Sequence, residues 1–474
     1  MRGVLACASV LCLLALPQAS IGAAAAAAQQ GTRLAALTLA QAWQVALEND
    51  PTYKAAVSER EAGQTNRAMG LAALLPQVSA SLGRNKIRGT LDSPTATGDV
   101  QRTDLDYMSG TKEIRGTQTI FNWSRIAEYR QGQARADYSL AVFDTKSKDT
   151  TVRLINRYFQ ALLSYENVVL ARNKLQANEK QIMAAQRRYD GGEGTVTDVR
   201  ESQSRRDLSR ADLIKAQDAL IVARRELEEM LGSAPVALTS LATDFRAKPL
   251  VPATLSEWQA RAMSNNAEIR AGQEGLRISS QEIDRTFGGH LPTLDLVVAR
   301  RNVTNETLST RGQDSITNSV GFQLALPIYS GGLTSAQVRQ ARHNRDRAFE
   351  ELEATRERIA VEVTRQYQGV VSGSQRIDAL VVAVESSAEA LKAIEMGYQA
   401  GTRGIVDILD AQDQLYRSEL DLTQARLQYV LARLMLAGAA GSLNSSNINA
   451  ASSSYFGPDA VVLRDQRLQT LTQP

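Results

Sequence analysis

Proline is absent between Pro94 and Pro235, and again between Pro327 and Pro458. Proline removes a backbone donor and clashes with the preceding helical turn, so two gaps of this size leave room for very long helices. Residues 124–190 strengthen the case, because they hold a single glycine, Gly132, and are rich in Ala, Gln, Arg, Lys, Leu and Glu, all tolerant of helix. At ~1.5 Å per residue this segment makes a rod about 100 Å long. An average globular helix has about 11 or 12 residues, so such a rod outruns any ordinary globular domain.

The arrangement occurs in duplicate. YDGGEGTVTDVRESQ, starting at Tyr189, returns 209 residues later as YQAGTRGIVDILDAQ from Tyr398, with Tyr, the second Gly, Asp198/Asp407 and Gln203/Gln412 in register. Leu39, Ala46, Asn49, Leu75 and Pro76 recur as Leu255, Ala262, Asn265, Leu291 and Pro292 at an offset of 216. Solenoid units run about 20 to 50 residues, so this is a whole structural half copied once. The expected organisation is a signal segment at 1–28 and a first repeat at 29–235, with a helix, a strand pair at 76–121 and long helices at 122–232. A second repeat at 236–442 follows, with a helix, a strand pair at 292–329 and long helices at 333–440. Residues 443–474 form a Ser- and Asn-rich tail, expected to be loosely ordered at its end and without identifiable chemistry.

The seam of the rods is legible. Ile408, Leu415, Leu422, Tyr429 and Leu436 recur every seven residues, interleaved with Ala411, Ser418, Ala425 and Ala432. The first half repeats this as Val199, Leu213, Leu220 and Leu227 with Ser202, Ser209, Ala216 and Ala223, broken only by Arg206. A seven-residue repeat coils helices around one another, and alternating large with small layers lets backbones approach closely. Periodicity alone fits a two-stranded coiled coil in a soluble periplasmic scaffold equally well.

Four shorter segments separate those readings. Pro76–Arg88, Thr111–Phe121, Pro292–Thr304 and Ile316–Tyr329 read as strands, one pair per half. Val78, Ala80 and Leu82 alternate with Gln77, Ser79 and Ser81, and Val320, Phe322, Leu324 and Leu326 with Gly321, Gln323 and Ala325. A tilted strand needs about 9 to 11 residues to cross a bilayer, and these runs suffice. The polar connections at 89–110 and 305–315 suit the outer ends of membrane hairpins, with Trp123 and Tyr329 as interfacial aromatics at the opposite ends. A protomer with four strands cannot close a barrel around a passage, so it must oligomerise.

Composition excludes several functions. Arg2, the apolar stretch Val4–Leu16 and the Ala-rich region after Pro17 read as a secretory signal peptide cleaved between Ala19 and Ala28. Cys7 and Cys12 lie inside it, so the exported chain is expected to have no disulfide framework and no soft metal ligand. His290 and His343 are 53 residues apart and do not make a zinc spacing. No nucleophile and base constellation supports a periplasmic hydrolase, so no enzyme and no cofactor are expected. A net charge of +3 gives no reason to expect nucleic acid.

The order of strand pair and long helices, with PIYSGG at 327–332, IFNWS at 120–124 and AIEMGYQAGTRGIVDILDAQDQLY from Ala393 to Tyr416, resembles the TolC family of outer-membrane efflux channels. The resemblance covers residues 35–442. It implies an all-α-dominated fold with a membrane β-barrel: a homotrimer whose protomers each give four strands to a twelve-stranded barrel, continued by a coiled-coil helical tunnel through the periplasm. It places the channel in the outer-membrane lipid of a Gram-negative bacterium, with a periplasmic adaptor and an inner-membrane transporter of the RND, ABC or MFS type as partners. The cargo is small molecules (drugs), proteins or both, or proteins alone in type I secretion. Residues 37–50 and 255–265, with part of the tail, would form a belt around the tunnel.

By matching positions, the resemblance also assigns sites. Arg403, Tyr398, Thr197 and Asp198 form the periplasmic gate, with Arg403 reaching Thr197 and Asp198 of a neighbouring coil and Tyr398 bonding Asp198. Asp407 and Asp410, three residues apart on one helical face, give entrance rings that select cations. The turns holding Gly192, Glu193, Gly194, Gly401 and Thr402 dock the adaptor. Glu193 departs from the apolar residue more usual in the family.

Overall fold

The computed structural model describes residues 36–304 and 314–463. The signal segment with its two cysteines, most of the 305–315 connection and the end of the tail lie outside the described residues. The first half opens with α1 (Leu39–Asn49), whose start is fixed by reciprocal bonds: the Gln41 N–H donates to Thr38 Oγ1 at 3.2 Å and the Thr38 N–H to Gln41 Oε1 at 3.0 Å. Asp50 ends α1 and caps α2 (Pro51–Ala72), accepting the Thr52 N–H at 2.8 Å. Strands β1 (Gln77–Pro94) and β2 (Val100–Phe121) follow, then α3 (Trp123–Asp190), α4 (Val196–Leu231) and the short β3 (Ala237–Leu241). The second half repeats the order with α5 (Leu255–Asn265), α6 (Ala267–Phe287), β4 (Thr293–Thr304), β5 (Ser315–Ala325), α7 (Leu333–Gln399) and α8 (Ile405–Ala439). Asn266 stands where Asp50 stood, accepting the Glu268 N–H at 2.8 Å.

The proline-free intervals are helices of 68 residues in α3 and 67 in α7. The first part of α3 lies along α2 and α6, and its second part along α4 and α8. Most of the small layer of the seam is buried, Ser202, Ser209, Ala216 and Ala223 on α4 and Ser418, Ala425 and Ala432 on α8, together with Leu227, Ile408, Tyr429 and Leu436 of the large layer. Inside the α3–α4 seam, Asn178 donates to Ser209 Oγ at 2.6 Å, which satisfies two polar groups that the close approach removes from water.

The four long strands form one antiparallel sheet in the order β1-β2-β4-β5. Val78, Ala80, Val320, Phe322 and Leu324 stand exposed on one face, while Ser79, Thr317, Ser319 and Gln323 occupy the other. Among the described residues no helix is long and apolar enough to cross a membrane. The first strand pair is longer than the sequence reading allowed. The connection expected at 89–110 is mostly strand, leaving a turn at 95–99 with Gly98 at φ +90°. Cross-strand pairing explains this, since Arg102 donates to both Asp92 carboxylate oxygens at 2.8 and 2.9 Å. Conversely, β5 stops at Ala325, short of the expected Tyr329, because Pro327 lacks a donor and Gly331 and Gly332 at positive φ lead into α7.

Composition understated the tail. Ile448, Ala451 and Tyr455 form one buried stripe on α9 (Ser445–Tyr455), and β6 (Phe456–Val462) pairs antiparallel with β3. With α1 and α5 they enclose the largest core cluster, around Tyr158, Leu227, Tyr429 and Phe456. The Tyr158 hydroxyl lies 2.8 Å from Thr239 Oγ1 and donates to the Leu37 carbonyl at 2.9 Å. Burial pushes its pKa up to about 12.

Where α2 crosses α3 the backbones nearly touch. A Cβ on Gly132 would sit 2.6 Å from the Asn66 carbonyl oxygen and 3.2 Å from Gly70 Cα. Gly132→Leu is therefore expected to force the helices apart at a cost of about 1–3 kcal/mol, read as a lower midpoint in thermal unfolding followed by circular dichroism. An unchanged midpoint would show that this crossing can relax.

Candidate functional site: the two interhelical turns

Both helical hairpins reverse through a glycine in the left-handed region, Gly192 at φ +79° and Gly401 at φ +75°. The Gly192 N–H donates to the Tyr189 carbonyl at 3.0 Å and the Gly401 N–H to the Tyr398 carbonyl at 3.0 Å, so the two Tyr residues anchor equivalent reversals. The second turn adds the Thr402 hydroxyl, which donates to the Gly397 carbonyl at 3.0 Å. Each following helix is capped by its aspartate. The Thr195 N–H donates to Asp198 Oδ2 at 3.2 Å, and the Gly404 N–H to Asp407 Oδ2 at 3.1 Å. A carboxylate at that position also meets the positive end of the helix dipole.

The copies differ at one position that matters. Arg188 precedes the first Tyr, and Gly397 holds the equivalent place in the second copy. A Cβ on Gly397 would lie 2.9 Å from Arg403 Cγ, so glycine leaves the space that the Arg403 stem occupies. Arg188 crosses instead to the other hairpin, its guanidinium 4.5 Å from the Tyr398 ring centroid. The Tyr398 hydroxyl is the largest influence raising the Arg188 pKa, and Glu193 and Asp198 add to it. Arg188 thus faces Tyr398 across the hairpins. Within the chain Tyr398 is paired to Arg188, and the Asp198 carboxylate turns back to its own helix end.

Arg403, in the turn between α7 and α8, stays with its own hairpin. Its guanidinium is 4.0 Å from Asp407 Oδ2 and its side chain is 60 % exposed. The structure brings Arg403, Asp407 and Asp410 together along one groove of about 430 Å³ between α7 and α8, lined also by Ser387 and Ile394. The two aspartates are not equivalent there. Asp407 caps α8, whereas Asp410 Oδ1 lies 2.8 Å from Arg205 Nη2 on α4.

That ion pair opens a network the sequence reading missed. Arg205 Nη1 reaches Asp413 Oδ2 at 3.0 Å, Lys174 Nζ reaches Asp413 Oδ1 at 3.0 Å, and Arg205 Nε donates to Glu201 at 3.2 Å. Burial works against the Arg205 charge, yet the Glu201 bond and the attraction of Asp410 and Asp413 outweigh it, so its pKa is raised. Lys174 also lies 5.2 Å from the Tyr416 ring centroid, and the Tyr416 hydroxyl donates to Asn167 Oδ1 at 3.0 Å. Three helices, α3, α4 and α8, are tied by these side chains just above the turns. The one available signal was Asp413, three residues beyond Asp410 and on the same helical face. Among the described residues no cluster of His, Cys, Asp and Glu could hold a metal.

Asp413 is the centre of the network, at 17 % exposure against 61 % for Asp410. Arg205→Gln leaves Asp413 with Lys174 alone and is expected to loosen the start of α8 by roughly 1 kcal/mol, a figure discounted for solvent screening. Hydrogen exchange should quicken for the amides from Asp410 to Tyr416 while α9 and β6 keep their protection; uniform exchange would show that the network holds nothing.

A family model described as outer membrane efflux protein matches residues 42–233 and 258–442. The chain is 32 % identical over 432 residues to the alkaline protease secretion protein AprF of Pseudomonas aeruginosa, covering 90 % of this chain and 89 % of that one. It is 27 % identical over 434 residues to the outer membrane protein TolC of Escherichia coli, covering 89 % and 85 %. Among solved structures, the outer membrane protein VceC of Vibrio cholerae is similar in fold at a TM-score of 0.73 and 16 % identity, over 86 % of this chain and 97 % of that one.

Proposed function

The chain belongs to the outer membrane efflux protein family and is an outer-membrane export channel of a Gram-negative bacterium; from that premise we propose that it works as a homotrimer exporting polypeptides by type I secretion. The assembly follows from the free edges of the sheet. β1 and β5 lie at opposite edges and run in opposite directions, so β5 of one copy can pair antiparallel with β1 of the next. Hydrocarbon tolerates no unpaired edge. Two copies would give eight strands, a barrel just wide enough for side chains to fill it, whereas three give twelve and leave a passage.

The cargo class rests on one observation: the likeness to an alkaline protease secretion protein extends over nearly the whole of both chains. The implied partners are an inner-membrane transporter and a periplasmic adaptor, the adaptor seated on the turns at Gly192, Glu193, Gly194, Gly401 and Thr402. A charged Glu193 in place of an apolar residue favours an adaptor tip with a complementary cation. Deleting the gene should remove specific proteins from the culture supernatant and leave drug inhibitory concentrations unchanged. An unchanged supernatant with lowered inhibitory concentrations would assign the channel to small-molecule efflux instead.

The turns act as the gate in this reading. Arg403, exposed and held in its own hairpin by a 4.0 Å contact with Asp407, can swing to Thr197 and Asp198 of a neighbouring protomer, a charge-assisted link across the narrowest point. Tyr398, which faces the Arg188 guanidinium within the chain, would bond Asp198 in the same closed state. Asp407 and Asp410 would line the opening as two rings of carboxylates. In planar bilayers Arg403→Ser should raise single-channel conductance, and the pair Asp407→Asn with Asp410→Asn should abolish block by trivalent cations. Unchanged conductance would remove Arg403 from the gate, and retained block would relocate the constriction.

A further inference from the structure

Asp410 has a twin in the first copy. At the offset of 209 residues that aligns Asp198 with Asp407, Glu201 aligns with Asp410. In a ring of alternating halves these positions would put six carboxylates at one level, about one helical turn beyond the level of Asp198 and Asp407.

A single guanidinium holds both acids of a protomer. Arg205 Nε donates to Glu201 Oε1 at 3.2 Å along α4, and Arg205 Nη2 reaches Asp410 Oδ1 at 2.8 Å on α8. The remaining arm, Nη1, reaches Asp413 Oδ2 at 3.0 Å. The arrangement belongs to one copy, because Gln414 stands where the first half has Arg205. Exposed ion pairs are weak, since both side chains are free to leave, and Asp410 is exposed. Arg205 is not free in that way. Its side chain is 28 % exposed, and the planar fork meets three acceptors in one geometry that a lysine cannot copy. With Nε and Nη1 tied to Glu201 and Asp413, the positive charge stays beside Asp410 whether or not the third bond is made. The level below is built differently, with an exposed Arg403 at 4.0 Å from Asp407.

We propose that Arg205 is the built-in counter-ion of the upper carboxylate level, so that the channel entrance binds cations at Asp407 and lets them pass at Glu201 and Asp410. On the trimeric reading of the entrance, from which this follows, six uncompensated carboxylates facing one opening would concentrate polyvalent cations. With Arg205 each protomer brings two acids and one base to that level. Conduction needs binding weak enough to be left again. For a polypeptide carrying lysine and arginine side chains, Arg205 therefore separates a level that releases a cationic segment from one that retains it.

Block of single channels by hexaamminecobalt(III) in planar bilayers reads the free carboxylates, on variants first recovered as trimers. Arg205→Gln should lower the concentration for half-block by about tenfold and raise the preference for cations in reversal potentials. Arg205→Met keeps the stem and serves where Arg205→Gln does not assemble. Asp407→Asn should weaken block more than Asp410→Asn does. In a Glu201→Gln, Asp410→Asn background the Arg205 change should lose most of its effect, whereas an effect due to a loosened α8 would persist there. Block abolished by joint loss of Asp407 and Asp410, yet unchanged or weakened by Arg205→Gln, would overturn the counter-ion and leave the two rings in place. Block that survives loss of both aspartates would overturn the rings and this inference with them.

Discussion

A helix of 68 residues exposes more surface than it can bury by itself, so this molecule depends on what lies along the length of α3 and α7. The close seam of Ser202, Ser209, Ala216 and Ala223 solves the problem for α3 and α4, and Ser418, Ala425 and Ala432 solve it for α7 and α8. Small residues let backbones approach, while Leu213, Leu220 and Leu422 pack partly buried beside the contact and Leu227, Tyr429 and Leu436 of the same layer are fully buried in the core. The same device recurs where Gly132 meets Gly70 on α2. In the close seam of α3 and α4 the buried Asn178 is bonded across to Ser209.

Much of this was legible in the sequence because it rests on local rules. Proline spacing bounded the rods, heptads located the seams, and alternation found all four long strands. What composition could not weigh was pairing. Residues 89–110 are polar and contain Pro94, yet Arg102 finds Asp92 and the strands run on. The stretch after Gly441 is rich in Ser and Asn, yet Ile448, Ala451, Tyr455 and Phe456 are spaced to fill the central core beside Tyr158. In both places a few correctly spaced residues outweigh a polar majority.

The site was legible in outline for a related reason. Asp198 and Asp407 recur because each caps a helix after a glycine reversal, a local requirement that a repeat preserves. Arg188, Lys174 and Arg205 left no such mark. Their partners, Tyr398, Asp413 and Asp410, lie more than 200 residues away in the other hairpin, and no periodicity reports a contact between halves. Offset comparison does expose one of them, since Arg188 aligns with Gly397, and a glycine facing an arginine between copies marks a place where the duplicated halves took different work.

That divergence is concentrated at the turns. At the turns the second copy is elaborated, with Ile405, Ile408 and Leu409 buried against Leu391, Ile394 and Tyr398 as a small core of its own. A single half repeated six times around a ring would have to serve both ends with one sequence, and changing one end would change every copy of it. In the proposed trimer, with two halves per chain, three alternate turns can be altered while the other three keep the geometry of the ring. The long seams make this workable, because they hold the middle of the molecule constant while the turns diverge.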